Sequence, residues 1–188
     1  MFDIITIGDS TVDVFLNIRS ATKECDRDDE RCRICLPYGG KVPVNHLLTV
    51  AGGGNAANSA VGFSRLGLKT AIYSIVGHDS RGHEIKKQLR KERVATQYLA
   101  EDRGSGTNYS TVLEYPGDRT VLSYHEERKY RLPKLAPAQW IYFSSIAGNH
   151  DAFNSELATY ARANNIKLAF NPGSRQLELG VRRLQPIF

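Results

Sequence analysis

The hydrophobic positions of this chain change period several times, and the changes predict its elements. FDIITIG, residues 2–8, is a nearly continuous apolar run, which predicts a strand buried on both faces. Gly8-Asp9-Ser10-Thr11 breaks that run, and VDVFLNI then alternates like a strand with one wet face. Residues 20–40 are polar, charged and punctuated by Gly and Pro, which predicts a loop or insertion. KVPVNHLLTV, residues 41–50, alternates again, and Pro43 disfavours a central place in a sheet. After three glycines the period becomes helical. Ala57, Ala60, Val61, Phe63, Ser64 and Leu66 make one apolar, small-residue face, and Gly67 stands where a C-cap belongs.

KTAIYSIV predicts a second buried strand, and Asp79-Ser80 opens a helix with Ile85 and Leu89 one turn apart. TNYSTVLEY, Pro116-Gly117-Asp118 and RTVLSYHEE read as a β-hairpin that alternates in both arms. QWIYFSSI is a strand. HDAFNSELATYARANN is a helix with Phe153, Leu157, Tyr160 and Ala161 on one face. KLAFNPGS is a strand that breaks at Asn171-Pro172-Gly173, and Ser174 is placed to cap a last helix, RQLELGVRRLQ. Strands alternating with helices predict an α/β fold with a largely parallel sheet. No repeat or low-complexity segment interrupts it.

Composition narrows the class. The 188 residues are 41% hydrophobic and 24% charged, which fits one soluble domain, or one with a small appendage. The net charge of +5 is spread along the chain, so a solvated surface is expected and no nucleic-acid partner. No apolar stretch approaches the roughly 20 residues that cross a bilayer, so no membrane partner is expected. MFDIITIGDS has no basic region and is not a secretory signal. Cys25, Cys32 and Cys35 are an odd set, which predicts reduced thiols and a cytoplasmic protein. Their C-x6-C-x2-C spacing lacks a fourth zinc ligand, so they read as incidental to the charged stretch KECDRDDERCR. His78 and His83 do not show the H-E-x-x-H spacing, and no metal site is expected.

The glycines carry the candidate chemistry. Gly52-Gly53-Gly54-Asn55-Ala56-Ala57 fits G-x-G-x-x-(G/A), the dinucleotide fingerprint. That fingerprint needs a buried strand before the first Gly and an acidic residue ending the next strand. Here the preceding segment alternates, and Asp79 stands at a helix start after Gly77 and His78. A Rossmann dinucleotide-binding domain is therefore the weaker alternative.

Three stretches point elsewhere: GDSTVDVF at 8–15, GGGNAANSAVGFSRLGLKTAIYSIVGHDSRG at 52–82, and the hairpin at 107–124. In this order they resemble the N-terminal portion of the ribokinase-like, or PfkB, carbohydrate kinases, over essentially the whole chain. The resemblance implies a mainly parallel sheet flanked by helices, with a small β lid and the C-terminal part of the fold missing. It implies one incomplete domain over residues 1–188, lid strands around 12–17, 42–50 and 107–124, and a charged insertion around 20–40. A sugar presents hydroxyls that both donate and accept, so reading them takes short polar side chains and closely approaching backbone. The resemblance gives that role to Asp13, Gly53, Gly54, Asn55 and Asn58, with Ser145 near a position where some relatives place an acidic sugar contact. Asn55 stands where ribokinases proper have lysine. Asp79 and Gly82 read as a helix cap and a tight turn rather than as ligands.

The family implies ATP and Mg2+ for the full-length protein, a sugar or nucleoside substrate, and lids that pair between subunits, here through Tyr109, Thr111, Leu113 and Tyr115. Its catalytic base lies in a Gly-Ala-Gly-Asp-like turn. This chain holds no such turn and no Walker A pattern, so no catalytic residue is expected in it. The reading is thus an N-terminal fragment of a carbohydrate kinase, inactive alone. Its alternatives are a nucleoside kinase of the same family, a non-catalytic sugar-binding remnant, and the dinucleotide enzyme.

Overall fold

The structure is a computed structural model that describes residues 1–26, 31–148, 151–178 and 180–187. It forms two compact units: Met1–Val12, Ala51–Asn108 and His125–Phe188 make the first, and Asp13–Val50 with Tyr109–Tyr124 the second. In chain order the strands are β1 (Phe2–Ile7), β2 (Thr11–Ile18), β3 (Thr22–Cys25), β4 (Cys32–Cys35) and β5 (Val44–Gly53). They continue as β6 (Thr70–Gly77), β7 (Ala95–Asp102), β8 (Tyr109–Tyr115), β9 (Asp118–Tyr124), β10 (Ala138–Phe143) and β11 (Lys167–Phe170). The helices are α1 (Asn55–Arg65), α2 (Ser80–Lys91), α3 (Asp151–Ala163), α4 (Ser174–Glu178) and α5 (Val181–Leu184), with a closing 3-10 turn at Gln185–Ile187.

The first unit is built on a five-stranded sheet in the order β11-β10-β1-β6-β7, and each of its strand pairs is parallel. The apolar run at residues 2–8 becomes the central strand because a sheet covered on both faces accepts such a run. Ile5, Ile7, Ile72, Val76 and Ile141 are completely buried. Each such side chain is worth about 1.5–3 kcal/mol on burial, enough to place β1 at the centre. On α3, Phe153 and Leu157 complete the core, with Phe153 5.9 Å from Phe143 and 5.7 Å from Tyr130 between ring centroids. The expected helix start at His150 lies outside the described residues.

Local signals worked where a cap or stop was written in the sequence. Asp79 caps α2, accepting from the Gly82 amide at 2.8 Å. At the end of α1 the Gly67 amide donates to Ser64 and the Leu68 amide to Phe63, the paired bonds of a Schellman stop. On α1 the buried residues are Ala56, Ala57 and Ala60, while Leu66, expected on that face, is exposed past the helix end. The last expected helix is two short ones parted near Gly180, and Ser174 is its first residue rather than its cap. Strand β7 was not foreseen: ATQYLAED is mostly polar and buries only Thr96 and Leu99 at the sheet edge.

The second unit holds a four-stranded sheet, β5-β2-β8-β9, and the two-stranded β3-β4. The expected hairpin is β8-β9, antiparallel, in register from Tyr109↔Tyr124 to Tyr115↔Asp118 around Pro116-Gly117. Two expectations need correction. Residues 20–40 are not simply a loop, because Thr22–Cys25 and Cys32–Cys35 pair antiparallel. The tip of that segment, residues 27–30, lies outside the described residues. Nor are all three cysteines reduced: the register sets Cys25 opposite Cys32, and they form a disulfide, leaving Cys35 free. No described helix is long and apolar enough to cross a membrane.

Candidate functional site: the carboxyl end of the parallel sheet

The strand order turns at β1, which pairs with β6 on one side and β10 on the other. Chain leaving β6 continues outward to β7, and chain leaving β10 continues outward to β11 on the opposite side. In open α/β sheets a crevice opens beyond the carboxyl ends of strands at such a reversal, because successive connections leave in opposite directions. At that edge Ile7 and Phe143 pair side by side, and the chain passes on to Gly8-Asp9 and Ser144-Ser145. The Asp9 amide donates to the Ser145 carbonyl at 3.0 Å, and the Ser144 amide to the Ile7 carbonyl at 2.9 Å. A Cβ on Gly8 would stand 2.9 Å from the Ser145 carbonyl oxygen, so the two turns touch only because residue 8 has none.

The glycine stretch meets the same edge. Gly54 is the N-cap of α1 with φ 88°, a conformation costly for any residue with a Cβ. A Cβ there would also sit 2.6 Å from the Asp9 carbonyl oxygen. Glycine thus lets the α1 terminus press against the turn after β1. No described side chain caps α1, so its first-turn amides stay available at the positive end of the helix dipole. Asn55 donates its side-chain amide to the Ser145 hydroxyl at 3.3 Å. Asn58 lies one turn on, on the same helix face and exposed, and Gly53 is buried. The fold therefore gathers Gly54, Asn55 and Ser145, which stand 90 residues apart between Asn55 and Ser145. Asp13 lies on the stretch of β2 that belongs to the second unit.

Asp9 was read in the sequence only as part of a break, and it organises this edge. It is buried, its Oδ1 accepts from the Tyr130 hydroxyl at 2.7 Å, and its Oδ2 from the Ala147 amide at 2.8 Å. His125 Nδ1 is 3.4 Å from the same carboxylate. Burial first, then the Asp9 charge and hydrogen bond, push the Tyr130 hydroxyl well above its ordinary pKa, so it remains a donor. The turn carrying Ser145 is held from below by this carboxylate.

A second glycine-rich stretch, Gly104-Ser105-Gly106-Thr107, is already filled. The Gly104 amide donates to Asp102, the Gly106 amide to Glu126 and the Thr107 amide to Asp79. The buried Arg128 guanidinium clamps it further, through Ser105 at 3.0 Å, the Gly106 carbonyl and Asp102. Its amides point at carboxylates, so this stretch does not fit a phosphate or an ATP–Mg2+ pair. The dinucleotide alternative fails on topology. β5, the strand entering the glycines, belongs to the four-stranded sheet and not to the parallel one.

Residues 18–182 match the pfkB family carbohydrate kinases. The chain belongs to that family. Among relatives, a ribokinase of Mus musculus is 24% identical over 77% of this chain and 47% of its own length. A fructokinase of Klebsiella pneumoniae is 31% identical over 65% of this chain and 43% of its own. The chain thus spans about half the length of the curated relatives it matches. The ribokinase fold is shared with the Methanocaldococcus jannaschii nucleoside kinase, an archaeal member of the ribokinase family: TM-score 0.72, 18% identity, 98% of this chain and 57% of that one. It is shared too with Arabidopsis thaliana ribokinase complexed with ribose and ATP, at TM-score 0.69, 17% identity, 90% of this chain and 53% of that one.

Proposed function

We propose that this chain is the sugar-binding portion of a pfkB-type kinase that transfers the γ-phosphoryl group of ATP to a hydroxyl of a sugar or nucleoside. The observation that carries the reading is the meeting of Gly54, Asn55 and Ser145 at the reversal of the parallel sheet. Asn55, Asn58 and Ser145 offer both donors and acceptors, which matches hydroxyls. The uncapped α1 amides add donors that no side chain there competes for. The resemblance assigns a sugar contact to Asp13 and backbone contacts to Gly53 and Gly54. ATP with Mg2+ would supply the transferable group, held by residues outside those described here. The residues of this chain bind and orient the acceptor, which lowers the barrier by removing its freedom before transfer.

In this reading the second unit is the β lid, with β2, β5 and the β8-β9 hairpin as its strands. A lid excludes water, the competing phosphoryl acceptor. Its exposed apolar side chains include Leu47 at 62%, Leu122 at 56% and Tyr124 at 59% exposure. Tyr109 and Thr111 pair with Tyr124 and Leu122, and directly opposed residues share a face. The expected docking face is therefore wider than β8 alone, and a second copy of this chain is its occupant.

The isolated 188-residue chain should show no phosphoryl transfer and saturable, sugar-dependent heat on titration with pentoses, hexoses or nucleosides. ATP turnover above a protein-free control would overturn the first half. Heat that Asn55→Ala and Asn58→Ala leave unchanged would overturn the second. The coding sequence beyond Phe188 should carry a Gly-Ala-Gly-Asp motif.

A further inference from the structure

His78 follows β6 directly, His83 lies in the first turn of α2, and Glu101 is on β7. All three belong to the first unit and are exposed. One ligand atom from each lies within 4.8 Å of the others. The two rings stand 5.5 Å apart, and His78 Nδ1 is 2.9 Å from Glu101 Oε2. The backbone beneath them is fixed. Val76 and Gly77 pair with Glu101 and Asp102, the His78 amide donates to the Asp102 carbonyl at 2.7 Å, and the His83 amide to the Asp79 carbonyl at 3.1 Å.

We propose that His78, His83 and Glu101 form a surface site for a divalent transition-metal ion of the zinc class. Two imidazoles and one carboxylate suit Zn2+ and its neighbours, whereas Mg2+ and Ca2+ prefer oxygen ligands alone. A tetrahedral ion with bonds of about 2 Å sets its donors about 3.3 Å apart. Exposed side chains on a fixed backbone reach that spacing by rotating about χ1 and χ2. Lys86, 2.7 Å from Glu101 Oε1, leaves Oε2 turned to the histidines. Three protein ligands leave a fourth position for water or another ligand, and the bound ion would tie the β6–α2 turn to β7.

The site is independent of the sugar reading, and so is its test. After alkylation of free thiols, which removes Cys35 as a competitor, the folded chain is titrated with Zn2+ against a chromophoric chelator. One equivalent should bind, and His78→Ala/His83→Ala should weaken it by at least about tenfold. Circular dichroism checks that the variant, altered only at the surface, is folded. Equal affinity in the double variant, or no Zn2+ bound by the unaltered chain, overturns the proposal.

Discussion

The two units use similar proportions of apolar sequence to opposite ends. In the first, β1 and β6 are almost wholly buried, and their runs carry little alternation. In the second, β9 is exposed along its whole length and β5 along all but its last three residues, although both carry valines, leucines or tyrosines. A parallel strand must be covered on two faces, so its apolar residues are spent on its own core. An antiparallel hairpin needs one covered face, so the other can be reserved for something else. The first unit is accordingly where substitutions should cost stability, and the second where they should cost association.

The sharpest break of that contrast is Ile7→Ala. Ile7 is fully buried in the central strand, and its truncation should cost about 2–5 kcal/mol in urea unfolding. An effect below 1 kcal/mol would show that the core is not where the sheet order puts it. Next is Asp79→Asn, expected to cost about 2 kcal/mol, since it weakens a helix cap and strands the Thr107 groups. Both the amide and the hydroxyl of Thr107 donate to that carboxylate, at 2.8 and 2.7 Å. Partial burial alone would raise the Asp79 pKa, but these bonds, the Gly82 amide and the Arg81 charge together lower it below 3.8. A lowered carboxylate contributes stability that is fully present above the unfolded value and is lost as pH falls through the folded one. Stability should therefore drop below about pH 4 in the natural chain and more gently in Asp79→Asn. Identical acid limbs in equilibrium unfolding would remove Asp79 from the account.

Much of the first unit was legible because burial writes itself as period: FDIITIG and KTAIYSIV could hardly be anything but covered strands. What escaped reading depended on distance. Asp9 looks like a turn residue because its partners Tyr130 and Ala147 lie 121 and 138 positions away. β7 and the β3-β4 hairpin bury too few apolar residues to show a pattern. The Cys25–Cys32 bridge was obscured by counting cysteines instead of pairing strands. For the candidate site, the glycines marked themselves, but the place of Asn55 and Ser145 came from family likeness. Periodicity has no view of a 90-residue contact. Likewise, a search for helical ligand spacing sees His78 and His83 but not a Glu101 supplied by a strand.

A smaller effect is expected at the proposed sugar site. If the proposed reading holds, in a longer protein that transfers phosphate Asn58→Ala should lose about 1 kcal/mol of hydrogen bonding, raising KM about fivefold while kcat holds. An unchanged KM would displace Asn58 from the proposed contact set.

The smallest stability effect belongs to the second unit, and there it is the informative one. Leu122→Lys places a charge on the exposed strand β9. Urea unfolding should shift by no more than about 0.5 kcal/mol, as for other surface substitutions. Sedimentation should nonetheless move from the proposed dimer to monomer, because a lysine ammonium on an apolar face opposes burial against its own copy. Ile7→Ala should do the reverse, lowering stability without altering the docking face itself. If Leu122→Lys instead unfolds the protein, the β9 face is part of an internal core. If it leaves the association state untouched, the apolar residues of β5 and β9 serve some contact other than a second copy of this chain.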